Sequence, residues 1–514
     1  MQKQLQLRLS PEQYNSIGEF ENVICKKSGI SKETLSYCVD KESLDCRKEP
    51  VYNLSVLVSE DNDLPNHKIA PLLEVDDKQR VIVVGAGPAG LFAAIKLLQK
   101  GIKPIIIERG ACVENRKKDV ASINRNQKIN TESNVCFGEG GAGTFSDGKL
   151  YTRSNKKGNI QEVLEIFVHF GADEKILRQT HSHIGTDKLS RIIKNIREEI
   201  LRCGGEYYFD TKVVDFVLQD NVVKGVKTAD GEEILADRVI LATGHSARDI
   251  YQLFYDRNWK IESQTFAMGV RVEHPQQLIN QIQYHSKTPS NLLPPATYSL
   301  AHNIGDRGVF SFCMCPGGIV MPSMDKEGIM VVNGMSNSLR NGEKANAAIV
   351  VSVKEEDARE FKNFGPLSLM KLQEKIEKQM FIQKQIAPAQ RITDFMQNRV
   401  SSRLLRSSYM PGLESVNMRE ELPDFVSKHL VEGFKVFDKK MHGYITKDAM
   451  LIGLESRTSS PVRIPRDKES LQHLSLKNLY PCGEGAGYAG GITSSAMDGI
   501  NVANKIAEEF NCLN

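Results

Sequence analysis

VIVVGAGPAGLFAAIKLL, residues 81–98, is the stretch of sequence that decides the fold. The four β-branched apolar residues 81–84 predict a strand that is buried on both faces of a parallel sheet. Residues 91–98 predict a helix, and three glycines with GxGxxG spacing lie between the two elements. A strand, a glycine-rich turn and a helix in this order are typical of a dinucleotide-binding βαβ unit.

Each glycine of this turn has a separate task. Gly85 permits the tight turn, Gly87 lets the backbone approach a pyrophosphate, and Gly90 lets the helix pack closely on the strand. The helix N-terminus offers free N–H groups and the positive end of its dipole to the phosphates. We therefore expect Pro88 and Ala89 to contact the same ligand.

A second predicted strand, residues 105–107, ends in Glu108 and is followed by Arg109. Glu108 lies about 20 residues after Gly87, which is the separation at which a carboxylate accepts a hydrogen bond from a ribose hydroxyl. Together with the glycines, this acid predicts a site for an adenine dinucleotide. We expect Glu108 and Arg109 to line it.

The composition argues against several classes of function. A length of 514 residues suits about three domains, and 67 basic against 64 acidic residues leave a net charge of +3. That charge is too small to attract nucleic acid or an anionic membrane strongly. No apolar run suggests a signal peptide or a membrane span, and the ten cysteines contain no CxxC pair. We therefore expect a cytoplasmic protein with reduced thiols and no metal site.

The order of predicted elements divides the chain into five segments. Residues 1–60 predict a small α/β domain, and residues 61–77 predict a polar linker. Residues 78–264 form the first part of a dinucleotide-binding domain, residues 265–450 an inserted mixed α/β substrate or cap domain, and residues 451–514 the second part. Within the insertion we predict strands at 266–272, 309–314 and 329–333, and helices at 344–361, 367–385 and 424–441.

The run CFGEGGAGTFSDGKL, residues 136–150, contains too many glycines for a helix or a strand. It predicts a loop whose backbone lies close to a flat or phosphorylated ligand, and a flexible surface hinge is the alternative. Gly140 and Gly141 are the expected contacts. Lys149 is a candidate cation beside the ligand, with a solvated surface lysine as the alternative.

Further along the chain, a predicted strand at 206–210 is followed by a three-stranded meander at 212–218, 222–228 and 233–235. A buried strand at 237–244 then ends in Ala-Thr-Gly. This order resembles the glutathione-reductase-like FAD fold. The resemblance implies that Val213 or Val214 offers backbone atoms to the adenine. It also implies that Ala242, Thr243 and Gly244 pass beside the cofactor.

The C-terminal motif PCGEGAGYAGGI, residues 481–492, resembles the second cofactor-binding segment of the same fold. The resemblance implies that Gly483 and Glu484 bind the ribityl and pyrophosphate region. It further implies that Gly490, Gly491 and Ile492 open a helix aimed at the flavin pyrimidine edge. A helix dipole there stabilises the anionic reduced flavin. The predicted cofactor is therefore FAD.

The chain as a whole resembles the uncharacterised FAD-dependent dehydrogenases of bacteria and plastids, also described as NAD(FAD)-utilising dehydrogenase-like proteins. The resemblance covers nearly the whole chain and implies FAD, but it supplies no substrate. It rests on GAGPAG at 85–90, GEGGAGTFSDGKL at 138–150, HIGTDKL at 183–189, ATGHSARD at 242–249, FCMCPGG at 312–318, ESRTSSPVRI at 455–464 and PCGEGAGYAGGI at 481–492.

Three side chains are candidates for the chemistry. Arg457, with Arg463 nearby, suits an anionic substrate or a flavin carbonyl, and an ion pair with Glu455 or Glu484 is the alternative. His245 suits an acid or base, with a structural histidine as the alternative. Lys149 is the third. Cys482 and the pair Cys313 and Cys315 are thiols whose redox activity the sequence leaves open.

The first hypothesis is an FAD-dependent oxidoreductase that transfers a hydride at flavin N5 to or from a small or bulky cytosolic substrate. The electrons would come from transiently bound NAD(P)H, from a protein donor or from the substrate itself. A flavin monooxygenase is the alternative enzyme. The non-enzymatic alternative is an FAD-stabilised scaffold or an RNA-associated protein.

Overall fold

The computed structural model describes residues 2–61, 63–65, 67–125, 128–151 and 158–513. Asn62 and Asn66 of the predicted linker lie outside the described residues. The N-terminal unit is an antiparallel sheet of order β1-β3-β2 with two helices. Its elements are β1 (Lys3–Leu9), α1 (Pro11–Asn15), α2 (Ile17–Ser28), β2 (Ser36–Asp45) and β3 (Val51–Ser59).

Ser10 starts the first helix of this unit as the sequence predicts. Its hydroxyl accepts a hydrogen bond from Gln13 N, and Gln13 Oε1 accepts one from Ser10 N, which completes a capping box. The edge strand β2 attaches the unit to the rest of the chain. Glu42 N donates to Arg178 O at 2.8 Å, and Glu42 O accepts from Thr180 N at 3.0 Å.

The next segment builds the first part of the predicted dinucleotide-binding domain. The three strands β7, β8 and β9 form the expected antiparallel meander. The elements are β4 (Arg80–Val84), α3 (Pro88–Gln99), β5 (Lys103–Ile107), α4 (Val113–Asn124), α5 (Ile160–His169), α6 (Thr186–Arg202), β6 (Glu206–Tyr208), β7 (Val213–Gln219), β8 (Val222–Thr228), β9 (Glu233–Leu235), β10 (Arg238–Leu241) and α7 (Arg248–Asp256), with short 3₁₀ turns at Ala142–Phe145 and Glu174–Leu177.

A seven-stranded sheet of order β13-β14-β17-β12-β20-β18-β19 forms the core of the inserted unit. The elements, together with the short β11 that precedes the sheet, are β11 (Glu262–Ser263), β12 (Phe266–Pro275), α8 (Gln276–Gln283), β13 (Ala301–Ile304), β14 (Arg307–Cys315), β15 (Ile319–Pro322), β16 (Val332–Met335), β17 (Lys344–Val353), α9 (Ser368–Gln379), β18 (Ala387–Arg391), α10 (Ile392–Met396), β19 (Leu413–Ser415), α11 (Met418–Glu421), α12 (Asp424–Lys440) and β20 (Met450–Glu455).

Two sequence assignments differ from the structure here. The helix predicted at 344–361 is wrong, because β17 occupies Lys344–Val353 and a 3₁₀ segment covers Glu355–Leu367. Its alanine-rich start favours a helix, but its Ile-Val-Val centre is buried between β12 and β14, and that context overrides helix propensity. Residues 451–455, which we assigned to the second FAD-binding segment, belong to β20 of the inserted sheet.

The chain returns to the first sheet through β21 (Val462–Arg463), β22 (Leu479–Pro481) and α13 (Ile492–Leu513). The completed sheet is parallel with order β22-β10-β4-β5-β6. Parallel strands end at the same edge of a sheet, so the motifs that follow β4, β5, β10 and β22 meet there. No described helix has the length and apolar character needed to cross a membrane.

Candidate functional site

A cavity of about 370 Å³ lies at the carboxyl edge of the parallel sheet, a volume typical of small-molecule sites. Its wall combines all the sequence motifs that we expected to meet. Of the predicted site residues, the following line it: Gly85, Gly87, Pro88, Ala89, Glu108, Arg109, Gly141, Lys149, Val213, Ala242, Thr243, Gly244, His245, Arg457, Glu484, Gly490, Gly491 and Ile492.

Four of the predicted site residues, Gly90, Gly140, Val214 and Gly483, are not among the residues that line the cavity, and their contact with a ligand stays a prediction. Val214 is 40% exposed whereas Val213 is buried, because successive side chains of a strand point to opposite faces. A Cβ at Gly90 would clash with Gly85 O, and one at Gly140 would clash with Thr144 Oγ1. Gly483 packs on Ala89. The three glycines therefore allow close packing next to the wall, as the sequence predicts for Gly90.

Gly87, Gly490 and Gly491, which belong to the cavity wall, have free space where a side chain would begin. A Cβ added at Gly87 would lie 3.8 Å from its nearest neighbour, Gly141 Cα, and one added at Gly490 or Gly491 would have no neighbour within 4 Å. Gly87 precedes the N-terminus of α3, and the other two precede that of α13. Two helix N-termini with free space before them fit a closely held pyrophosphate and flavin.

Glu108 joins two glycine-rich segments of the wall. Its Oε2 accepts from Ala86 N at 2.9 Å, and its Oε1 accepts from Gly110 N and Gly138 N, each at 2.9 Å. A carboxylate has about four acceptor positions, so these three bonds leave capacity for one hydroxyl. The carboxylate thus fits the predicted ribose contact and also holds the two segments together.

Arg116 is a positioning residue that the sequence analysis missed. Its guanidinium is fully buried and donates to five backbone carbonyls in and just before the glycine-rich run, at Asn134, Val135, Gly138, Glu139 and Gly141, over 2.7–3.1 Å. Burial lowers the pKa of Arg116 to about 10. An arginine near the start of a polar helix carries no sequence signal that would reveal this role.

Arg457 lies at the cavity wall with a side chain only 6% exposed. Neither carboxylate that we considered in the sequence is its partner. Instead Nη2 donates to Asp325 Oδ1 at 2.8 Å and Nε to Glu377 Oε1 at 3.2 Å. Burial acts to raise the pKa of Asp325, but Arg457 outweighs it and lowers that pKa to about 2. Glu455 pairs with the buried Arg271.

The other charged candidates also have defined neighbours. His245 Nδ1 lies 3.2 Å from Glu484 Oε1. Lys149 Nζ donates to Met314 O, and its nearest carboxylate oxygen, on Asp147, is 3.9 Å away.

Arg109, which lines the cavity, and Arg463 each lie over an aromatic ring. Arg109 is paired with Glu132 and Asp249 and lies over the ring of Phe137. Arg463 lies over the ring of Tyr488. The charge of Arg109 is therefore already neutralised within the protein.

The thiols divide into two groups. Cys136 and Cys313 line the cavity, whereas Cys482 is buried and is not part of its wall. The sequence shows Cys313 and Cys315 as a pair of thiols, but it does not indicate that Cys313 lies at the cavity wall. Among the residues that the structure describes, no three His, Cys, Asp or Glu side chains are grouped to hold a metal ion.

Three regions of the chain match known protein families. Residues 79–255 match the pyridine nucleotide-disulphide oxidoreductase family, residues 265–458 match the FAD-dependent protein, C-terminal domain-like family, and residues 1–59 match a domain of unknown function. A protein of Clostridium beijerinckii described as uncharacterised is 42% identical over 522 residues, which cover 96% of this chain and 97% of that protein.

Two solved structures show a remote similarity to this chain. The glycerol-3-phosphate dehydrogenase of Bacillus halodurans complexed with FAD is 11% identical, with a TM-score of 0.38, and the match covers 85% of this chain and 66% of that chain. The flavin-dependent brominase Bmp2 is 13% identical, with a TM-score of 0.38 and coverage of 84% and 79%.

Proposed function

This chain belongs to a family of FAD-dependent proteins, the one that includes the clostridial relative, and we propose that it transfers a hydride between FAD and a substrate in the cavity. The observation that carries the proposal is the set of open glycines before two helix N-termini at one sheet edge. That arrangement supports FAD bound along the edge, with its reactive ring facing the inserted unit.

Each end of the cofactor has candidate contacts in this arrangement. The turn at Gly87 would hold the pyrophosphate, Glu108 would accept a hydrogen bond from the ribose, and the backbone at Val213 would contact the adenine. Glu484 would bind the ribityl chain, and the N-terminal dipole of α13 would stabilise negative charge on the flavin. When bound, FAD supplies the two-electron chemistry.

The substrate side of the cavity is built from the inserted unit and the end of the glycine-rich run. Phe312, Cys313 and Asn333 line it together with Lys149 and Arg457. The charge of Arg457 is balanced by two carboxylates, so its role is to hold the wall. Lys149 donates to a backbone carbonyl, and its neighbouring carboxylate, Asp147, is shared with Arg340. We assign Lys149 to binding an anionic group of the substrate, and His245 to proton transfer.

Anaerobic stopped-flow mixing tests this function. The purified flavoprotein is mixed with NADH, with NADPH and with fractionated cell extract, and flavin absorbance is followed. The oxidoreductase is supported if one donor bleaches the flavin absorbance and one metabolite reoxidises the reduced flavin faster than air does. Reoxidation by oxygen with stoichiometric substrate hydroxylation would instead establish a monooxygenase. A preparation that binds no flavin would refute both.

The variant Lys149→Met tests the proposed binding of the substrate by Lys149. It is expected to weaken the apparent affinity for an anionic substrate by about 1–3 kcal/mol through the lost charged contact, while the FAD affinity stays unchanged. An equal loss of FAD affinity would place Lys149 on the cofactor instead.

A further inference from the structure

The segment FCMC, residues 312–315, brings a thiol to the wall of the cofactor cavity. It ends β14, where the pairing with β17 shifts between Phe312 and Cys315. Cys313 has a φ of 45°, which lies in the left-handed region that residues other than glycine rarely adopt. The irregular backbone allows both Phe312 and Cys313 to line the cavity, although neighbours on a regular strand would point to opposite faces.

A second thiol lies directly behind the first. Cys315 is fully buried, and its Sγ donates to Cys313 O at 3.3 Å. One cysteine is therefore reachable from the cavity, and the other is enclosed beside it. A reachable thiol with an adjacent resolving thiol is the arrangement of redox-active cysteine pairs.

Two cations surround this pair. Lys149 Nζ donates to Met314 O, between the two cysteines, and Arg271 Nη1 donates to Cys313 O at 3.2 Å. The hydrogen bond from Cys315 lowers the pKa of the Cys313 thiol, and Lys149 and Arg271 lower it further, against burial and Asp147, which raise it. The thiolate is the reactive form of cysteine, so these groups favour reaction at Cys313.

We propose that Cys313 and Cys315 form a dithiol–disulfide couple that exchanges an electron pair with the flavin. This inference rests on the proposed binding of FAD in the same cavity. In the reductive direction, the anionic reduced flavin gives up two electrons and a proton, and the S–S bond breaks. Cys313 leaves as a thiolate, Cys315 takes the proton, and the flavin becomes oxidised. Atoms and charge balance without another reactant.

The other cavity thiol lacks these features. Cys136 Sγ lies 3.3 Å from Arg457 Nη1 and 3.6 Å from Ser323 O, and burial raises its pKa. The disulfide of a Cys-x-Cys pair is strained, and strained disulfides are more readily reduced than structural ones. The pair is therefore suited to accept electrons from a flavin and to store them.

Electron counting tests the proposal. The flavoprotein is oxidised with diamide, desalted and titrated anaerobically with dithionite, while flavin absorbance and free thiols are measured together. We expect wild type to take up two electron pairs per bound flavin. Cys313→Ser and Cys315→Ser should each take up one pair. Cys136→Ser, which removes the other thiol of the cavity, should take up two.

A second measurement needs no bound flavin. After diamide treatment of the cofactor-free chain, mass spectrometry of the peptide that contains residues 313–315 should show loss of two hydrogens and protection from alkylation. Persistent alkylation of both cysteines overturns the proposal, as does equal electron uptake by wild type and Cys313→Ser. If FAD binds and is reduced while the disulfide persists, the couple is refuted and the proposed function stands. Failure to bind FAD refutes the proposed function itself.

Discussion

Gly87→Val separates the effect of a side chain on the fold from its effect on the cofactor. Gly87 has a φ of −76° and a ψ of −177°, which is extended backbone that valine adopts readily. The added Cβ would lie 3.8 Å from the nearest atom, Gly141 Cα. We therefore expect the free energy of unfolding of the cofactor-free variant to stay within about 1 kcal/mol of wild type.

The expected loss of FAD affinity follows from the contacts that the valine displaces. α3 begins directly after Gly87, so a displaced pyrophosphate loses at least one charged hydrogen bond of about 1.5–3 kcal/mol. It also loses a helix-dipole contribution of about 0.3–1 kcal/mol. The total of about 2–4 kcal/mol corresponds to an increase in Kd of roughly 30- to 700-fold.

Fluorescence titration of the cofactor-free protein with FAD measures this Kd, and thermal unfolding of the same sample measures the fold. Gly90→Ala is the contrasting variant, because its Cβ would clash with Gly85 O and should lower the unfolding temperature even without FAD. A folded Gly87→Val that binds FAD with wild-type affinity would refute the placement of the pyrophosphate at this turn.

Three other variants test the residues around the cavity. Glu108→Ala should weaken FAD binding by about 1–3 kcal/mol, measured by titration; unchanged affinity would remove Glu108 from the ribose site. Arg116→Lys should destabilise the fold by about 3 kcal/mol or more, because a lysine leaves several buried carbonyls unpaired at about 1–3 kcal/mol each; urea unfolding measures this, and an unchanged midpoint contradicts it. Burial raises the pKa of Glu139 to about 7 from 4.5, against the opposing effect of Arg197. Between these two pH values the folded chain keeps a proton on Glu139 that the unfolded chain has lost. The free energy of unfolding that Glu139 contributes therefore falls as the pH rises from 4.5 to about 7. Glu139→Gln should remove that slope in unfolding measured across the range, and an identical slope in both proteins contradicts the assignment.

The part of the cavity wall that carries the glycine motifs was predictable from the sequence because its constraints are local. A glycine turn, a strand and a helix within one βαβ unit require a fixed spacing, and Glu108 follows from the same unit. The segments after β10 and β22 are far apart in the chain. They could still be placed, because parallel strands end at one edge.

The substrate half depended on the tertiary structure. Asp325 and Glu377 reach Arg457 from separate segments of the inserted unit, and no spacing in the sequence pairs them. Likewise, β17 is a strand because β12 and β14 enclose it.

Cys313 and Cys315 were visible in the sequence as a pair of thiols, but their position was not. The sequence by itself determined that this chain has an FAD-type dinucleotide fold, with GAGPAG at the turn after its first buried parallel strand. Only the tertiary structure brought Cys313 to the cavity wall with Cys315 behind it. This segment is oriented by a shift in the pairing of β14 with β17 and by hydrogen bonds from Lys149 and Arg271. Each of these interactions joins residues that are distant in the chain, so the sequence alone does not reveal them.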